Sequence, residues 1–221
     1  MKGPTILFAE MIPDADWEDR FNKWYDTHHI PARMAAPGFI SAQRYRDPER
    51  LNYLAVYELE SAAALDTPEY NRIRTQPNIE TKWMQANVSS PTRYVAEEVG
   101  TAQRSGLTAD PMDAPFLYAV FFSVPDERLA DFEAWHTDEQ IPLLLKCEDW
   151  LLCRRFLVQD GDPQPWTHLT LHYLMREEAL DSPERQAARS TPRRNALAAE
   201  PWFNPSTLVF HRHGKRFLRK G

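Results

Sequence analysis

Two segments half a chain apart share one frame. "WYDTHHIP" (Trp24 to Pro31) and "WHTDEQIP" (Trp135 to Pro142) each set a tryptophan five residues before Ile-Pro. The likeness extends outward: "FNKWYDTHHIP" lies over "FEAWHTDEQIP", and "GFISAQRY" over "DWLLCRRF", at one offset of 111 residues. After a short insertion near "GDPQPW", "LDTPEY" meets "LDSPER", and "PTRYVAEEVG" meets "PSTLVFHRHG". Matches in one order over nearly the whole chain mean one structural unit written twice, as a gene duplication leaves it. The copies differ at one telling place, where His28 and His29 become Glu139 and Gln140.

Each copy spells the same order of elements. "TILFAEMI" is a β-branched and aromatic run, which predicts a strand. In "DADWEDRFNKWYDTHHI", Trp17, Phe21, Trp24 and His28 recur at steps of four, three and four, the spacing of an amphipathic helix. Asp14 or Asp16 can cap its start, and Pro31 calls for a boundary or kink near its end. "GFISAQRYR" and "NYLAVYELE" read as two strands, the Pro68- and Pro77-interrupted segment that follows as helical, and "TRYVAEEV" as a last strand. The second copy repeats this from "FLYAVFFSV" to "STLVFHRH". The order β-α-β-β-α-β is ferredoxin-like. One such antiparallel sheet carries helices on one face only, so its other face needs cover. The expected α+β fold is therefore two tandem ferredoxin-like repeats that pack as a pseudo-two-fold dimeric α/β barrel within one chain. The expected domains are residues 1–99, a linker at 100–115, and 116–221 with a basic C-terminal tail.

Composition narrows the partners. Aromatic residues make up 12% of 221 positions and the net charge is -6, which supports a packed core and speaks against nucleic acid. Neither a secretory leader nor an apolar run of about 20 residues is present, so a cytoplasmic protein with no membrane role is expected. Cys147 and Cys153 then stay reduced as core residues. The glycine count of seven includes no phosphate-cradling loop, and GxSxG and HExxH are missing. Expected partners reduce to a small-molecule substrate and, as oligomer, a monomer or homodimer.

"WYDTHHIPARMAAPGFISAQRYR" followed by "YLAVYELES" resembles the EthD-like branch of the dimeric α/β-barrel superfamily. There a W-Y-x-x-x-H-x-P-type segment precedes a Pro-Gly-Phe turn and a strand carrying Arg-Tyr. The resemblance implies a pocket between a repeat's helices and its sheet, with the histidine at the position of His29 looking into it. Gln140 departs from that pattern. Members of the superfamily include cofactor-free monooxygenases, isomerases, polyketide cyclases, dehydratases and haem enzymes, so the fold does not choose the chemistry.

The residues suggest acid/base work. Asp26 lies three positions before His29, within reach on a helix, and could hold one ring nitrogen protonated while the other acts as base. Tyr45, Tyr53 and Tyr57 could support a developing oxyanion. His28, Tyr25, Arg44, Trp83 and Tyr94 could line the substrate. The second copy offers His136, Glu139, His168 and His172 instead. The last two lie four apart on one strand, roughly 13 Å along it, too far to chelate one metal without a bend. The leading expectation is a lyase, dehydratase or isomerase acting without cofactor on an apolar, aromatic or polyketide-like molecule. The alternatives are a cofactor-free or haem-dependent monooxygenase of the same superfamily and an accessory protein that binds without catalysis. Metal is expected at neither site, with haem or a metal at the second-copy histidines as the rival.

Overall fold

The structure, a computed structural model, describes residues 2–163 and 166–219, with Ser90 and Pro91 described by their backbone alone. Its strands are β1 (Thr5–Ile12), β2 (Phe39–Arg46), β3 (Tyr53–Leu59), β4 (Ser89–Gln103), β5 (Phe116–Phe122), β6 (Trp150–Asp162), β7 (His168–Leu174) and β8 (Ser206–Leu218). Their hydrogen-bonded order is β1-β3-β2-β8-β5-β7-β6-β4, closed into an antiparallel barrel. The fold is the expected α+β barrel. No helix among the described residues is long and apolar enough to cross a membrane.

The chain divides into two compact units. One comprises Met1–Glu97, Gln159–Pro163 and Arg212–Gly221, and the other Glu98–Val158 and Gln164–His211. This departs from the expected boundaries. Residues 100–103 are strand β4 rather than linker, and the basic segment from His211 is the end of β8 rather than a tail. Both extensions have backbone partners just past their ends: the Arg104 amide donates to the Leu151 carbonyl, and the Arg219 amide to that of Ile40. A strand end with a neighbour to pair keeps its extended form, whatever its side-chain composition.

In the first unit, α1 (Glu18–Trp24) and α2 (Ile30–Met34) are joined by a π-helical turn, Tyr25–His29, closed by the Ile30 amide donating to the Tyr25 carbonyl. α3 (Pro68–Thr75) and α4 (Ile79–Asn87) follow β3. In the second unit, α5 (Leu129–Trp135) and α6 (Ile141–Leu144) flank the same turn at His136–Gln140, and α7 (Pro183–Ala188) and α8 (Pro192–Ala198) follow β7. The prolines at 68 and 183 open helices rather than interrupt them. Each sits just after a capping hydroxyl, Thr67 or Ser182, where a missing amide proton costs nothing. In each unit the helices cover one sheet face. Leu7, Tyr53, Ala55 and Tyr57 pack with Phe21, Trp24, Tyr25 and Ile30, whereas Tyr118, Val120 and Phe122 pack with Phe132, Trp135 and Ile141.

Gly38 makes the turn from α2 into β2. Its φ is +81°, its carbonyl accepts from the Glu60 amide, and a Cβ there would lie 2.5 Å from the Ala64 Cβ. Gly38→Ala should therefore cost about 1–3 kcal/mol, from the left-handed backbone and the clash together. Urea unfolding of the two proteins measures this directly.

Candidate functional site

The π-turn decides which histidine of the pair is buried. At α-helical spacing His28 would continue the Phe21-Trp24 stripe and His29 would lie about 100° away. The turn holds one residue more, so His29 follows Trp24 and Tyr25 onto the buried face and His28 is exposed. The expectation that His28 faces inward is thus reversed. His28 Nε2 meets the Asn78 side-chain amide at 3.0 Å. His29 lies between the rings of Trp24 and Tyr25, at 4.3 and 4.5 Å, and its Nδ1 has no partner.

Asp26 does not orient His29. Its carboxylate accepts from Arg44 at 2.8 Å, and Arg44 also donates to the Asn22 side chain at 2.6 Å. Arg44 is 1% exposed and lies over the rings of Tyr25 and Tyr53, so it ties helix to sheet, and burial closes it off from a substrate even at its unpartnered Nε. The Tyr53 hydroxyl is occupied too: it donates to Glu18 and accepts from Asn22. Tyr57 is buried beside Tyr25, its hydroxyl without a partner and its proton held more tightly by burial. Tyr45 and Tyr94 do not join them. They pair with Leu54 and Phe8, on the sheet face opposite that of Tyr53 and Tyr57. Trp83 packs on Trp17 under the Arg20 guanidinium and does not line the cavity beside His29.

The cavity beside His29, about 250 Å³, is lined by His28, Ala32, Arg33, Arg72, Gln76 and their neighbours on and between the helices. No strand residue reaches it. The expected assembly of His29 with sheet tyrosines is therefore not made.

The second unit is different. A cavity of about 350 Å³ lies between its sheet and helices, with Tyr118, Trp150 and His172 from the strands, and Trp135, Gln140 and Phe203 facing them. His172 takes the place of Tyr57. Its Nδ1 accepts from the Trp150 indole at 3.1 Å and lies 3.2 Å from the Cys153 sulfur. An indole nitrogen only donates, and burial pushes the Cys153 thiol up to about 12, so it stays protonated. Nδ1 is therefore the acceptor and Nε2 carries the proton. Burial and the nearby Arg185 push the His172 pKa down to about 3, so the ring is neutral. Two further lining residues carry unmet polar atoms, the Trp135 indole nitrogen and the Gln140 side-chain oxygen. In the first unit the matching Trp24 nitrogen is satisfied by Thr81 at 3.1 Å.

The other second-copy candidates lie outside this cavity. His136 stacks on Trp135, with Nε2 3.5 Å from the Thr170 hydroxyl. Glu139 turns to Arg193 at 3.3 Å, so no His136-Glu139 pair forms. His168 lies between the Thr167 hydroxyl and Glu133, which also pairs with Arg155. Among the described residues no group of three His, Cys, Asp or Glu side chains is placed to hold a metal ion. Haem fits the donor set no better. An axial imidazole must present a bare nitrogen, and His172, which alone among the lining residues has an imidazole, offers an N–H there.

Missed by sequence reading were Trp135, Gln140, Tyr118, Trp150 and the arginines of this cavity, Arg185, Arg189 and Arg194. The signal existed in the alignment of copies: Tyr70 in "LDTPEY" is Arg185 in "LDSPER", and Tyr57 is His172. Both tyrosines are buried and fill the first unit, and their counterparts leave space and charge in the second.

No family model matches the chain, and no curated protein matches it. Solved structures do. Over 98% of this chain and 93% of the other, it is similar to an anthrone oxidase-like protein, with a TM-score of 0.70 and 12% identity. Chlorite dismutase from Candidatus Nitrospira defluvii matches over 97% and 93%, with a TM-score of 0.60 and 9% identity. A monooxygenase-like protein from Listeria innocua matches over 96% of each chain, with a TM-score of 0.52 and 6% identity. The chain shares the dimeric α/β-barrel fold of these proteins.

His29, His136, His168, His172 and His213 all have pKa values lowered first by burial. Unfolded imidazoles bind a proton near pH 6.5 and these folded ones do not, so their stability contribution is complete above pH 6.5. It is lost as pH falls from there, for His172 down to about 3. Each histidine adds up to about 1.4 kcal/mol per pH unit inside its window. Urea unfolding between pH 7.5 and 5 should show a steep loss of stability, and His172→Phe should flatten it.

Proposed function

We propose that this chain is a cofactor-independent oxygenase acting on a hydroxylated aromatic compound in the cavity of the second unit. We also take it to be a fused, EthD-like member of its superfamily, on the segment from Trp24 to Phe39. The observation that carries the functional reading is His172, a neutral imidazole whose tautomer Trp150 fixes, offering Nε2–H in an aromatic-walled cavity. Such a donor stabilises the oxygen of a phenolate or enolate and cannot itself take the proton. Similarity over the whole chain to an anthrone oxidase-like protein supports oxygen as co-substrate.

The chemistry closes without a cofactor. When a ring methylene conjugated to an enol becomes a carbonyl, the carbon loses two hydrogens and gains one oxygen atom. The second atom of O2 leaves with both hydrogens as water, and the substrate supplies every electron. The residues here bind the ring between Trp135, Trp150 and Phe203 and hold negative charge on the substrate oxygen through His172. The proton released on ionisation passes to solvent. This reading displaces lyase chemistry at His29, whose orienting partner Asp26 is committed to Arg44.

With an anthrone as substrate, oxygen-electrode traces should show one O2 consumed per substrate and no turnover under nitrogen. His172→Ala should lower the rate about 100-fold, the scale of one lost oxyanion donor. Substrate loss that proceeds equally well under nitrogen would restore lyase or isomerase chemistry. Full activity in His172→Ala, with loss in His29→Ala, would move the site to the first unit.

A further inference from the structure

The cavity of the second unit holds more positive charge than an uncharged aromatic molecule needs. Arg185, Arg189 and Arg194 all line it, from α7, the residue following α7, and α8. Among the described residues no carboxylate pairs with any of them. Their neighbours show that this is not for want of acid nearby: Arg193 pairs with Glu139, Arg176 with Asp149, and Arg128 with Asp131 and Glu200. In a chain of net charge -6, three unpaired guanidinium groups around one cavity are an imbalance kept in place.

They are also arranged in depth. The Arg185 guanidinium is anchored by the Leu180 carbonyl and lies over the Tyr118 ring, 3.5 Å from its hydroxyl. It is close enough to His172 to disfavour the imidazolium. Arg194 lies over the Phe203 ring, and its proton is made easier to lose by burial and then by Arg189 beside it. Arg189 is exposed and forms the rim. Positive charge thus runs from Arg185, beside the neutral imidazole, to Arg189 at the mouth, along aromatic walls.

We infer that the molecule bound here carries a carboxylate as well as its aromatic rings, and that Arg185, Arg189 and Arg194 receive that carboxylate while the ring hydroxyl meets His172. Planar guanidinium groups match a carboxylate in geometry, and a bound anion removes the repulsion among the three. A cavity of about 350 Å³ has room for a small fused-ring acid. The inference rests on the proposal that the second-unit cavity is the working site, and it specifies the substrate class.

The test is binding, measured by calorimetry under nitrogen with no turnover. The probes are 1-hydroxy-2-naphthoate and 1-naphthol, which differ by the carboxylate. The naphthoate should bind at least about tenfold more tightly, the scale of one charge-assisted hydrogen bond, and added salt should narrow the gap. Arg185→Gln and Arg189→Gln should each weaken naphthoate binding about tenfold and leave naphthol unchanged. Arg189 is exposed, so its variant tests the claim even where Arg185→Gln disturbs packing. Equal affinities for the two probes, no binding of either, or Arg189 and Arg185 variants that hold naphthoate as tightly as the parent would each overturn it. Oxygen consumption is read separately with an anthrone, so preferential naphthoate binding without oxygen uptake on the anthrone would sink the oxygenase and leave the carboxylate site standing.

Discussion

The π-turn between Trp24 and Ile30, repeated between Trp135 and Ile141, governs what each helix offers to its sheet. One extra residue per turn advances the register by about 100°, so the side chain five positions after the tryptophan takes the inward place. That place holds His29 in one unit and Gln140 in the other. Everything at the helix-sheet interface is set from this register: the ring stack on His29, the release of Asp26 toward Arg44, and the entry of Gln140 to the second cavity.

From the same backbone, the two units reach opposite outcomes by side-chain volume and charge. In the first, Tyr57 and Tyr70 are buried, and a polar web of Arg44, Asp26, Asn22, Tyr53 and Glu18 joins helix to sheet. A buried guanidinium needs such a web, because an unpaired charge in the interior costs several kcal/mol. In the second, His172 and Arg185 stand at the positions of those tyrosines, and polar atoms of Trp135 and Gln140 remain unmet. A buried donor or acceptor without a partner costs about 1–3 kcal/mol. The first unit carries that cost too, at His29 Nδ1 and the Tyr57 hydroxyl, but in the second unit the unmet atoms of Trp135 and Gln140 line the cavity between sheet and helices, as a receptor requires.

How much of this could be read in advance depended on whether the signal was local. The doubled frame around Trp24 and Trp135, the alternating strand runs and the capping residues before Pro68 and Pro183 are all local, and the barrel follows from them. The inward histidine was misread because a stripe at steps of three and four assumes α-helical spacing, and nothing in "YDTHH" announces a π-turn. Asp26 and His29 looked like a pair since sequence separation carries no information about Arg44, which reaches Asp26 from a strand. Tyr45 and Tyr94 were grouped with Tyr53 and Tyr57 by residue type, when strand parity and the register of pairing place them on the other face. The arginines of the second cavity lie on α7, just after it, and on α8, where a charged residue ordinarily reads as solvated surface. Only the substitution of Tyr70 by Arg185 between copies marked one of them.

Because Tyr57 and Tyr70 fill the helix-sheet interface of one unit, the chain contains its own control. A protein that opens a pocket gives up packing, and one unit alone would have to absorb that loss in the same few side chains that recognise the ligand. Here the filled copy carries no such obligation: Tyr57 and Tyr70 can be selected for cohesion alone, while Tyr118, His172 and Arg185 drift with the demands of a substrate. Two units of one design separate robustness from novelty, and the tyrosine-filled half supplies a margin against which the other half can change its chemistry.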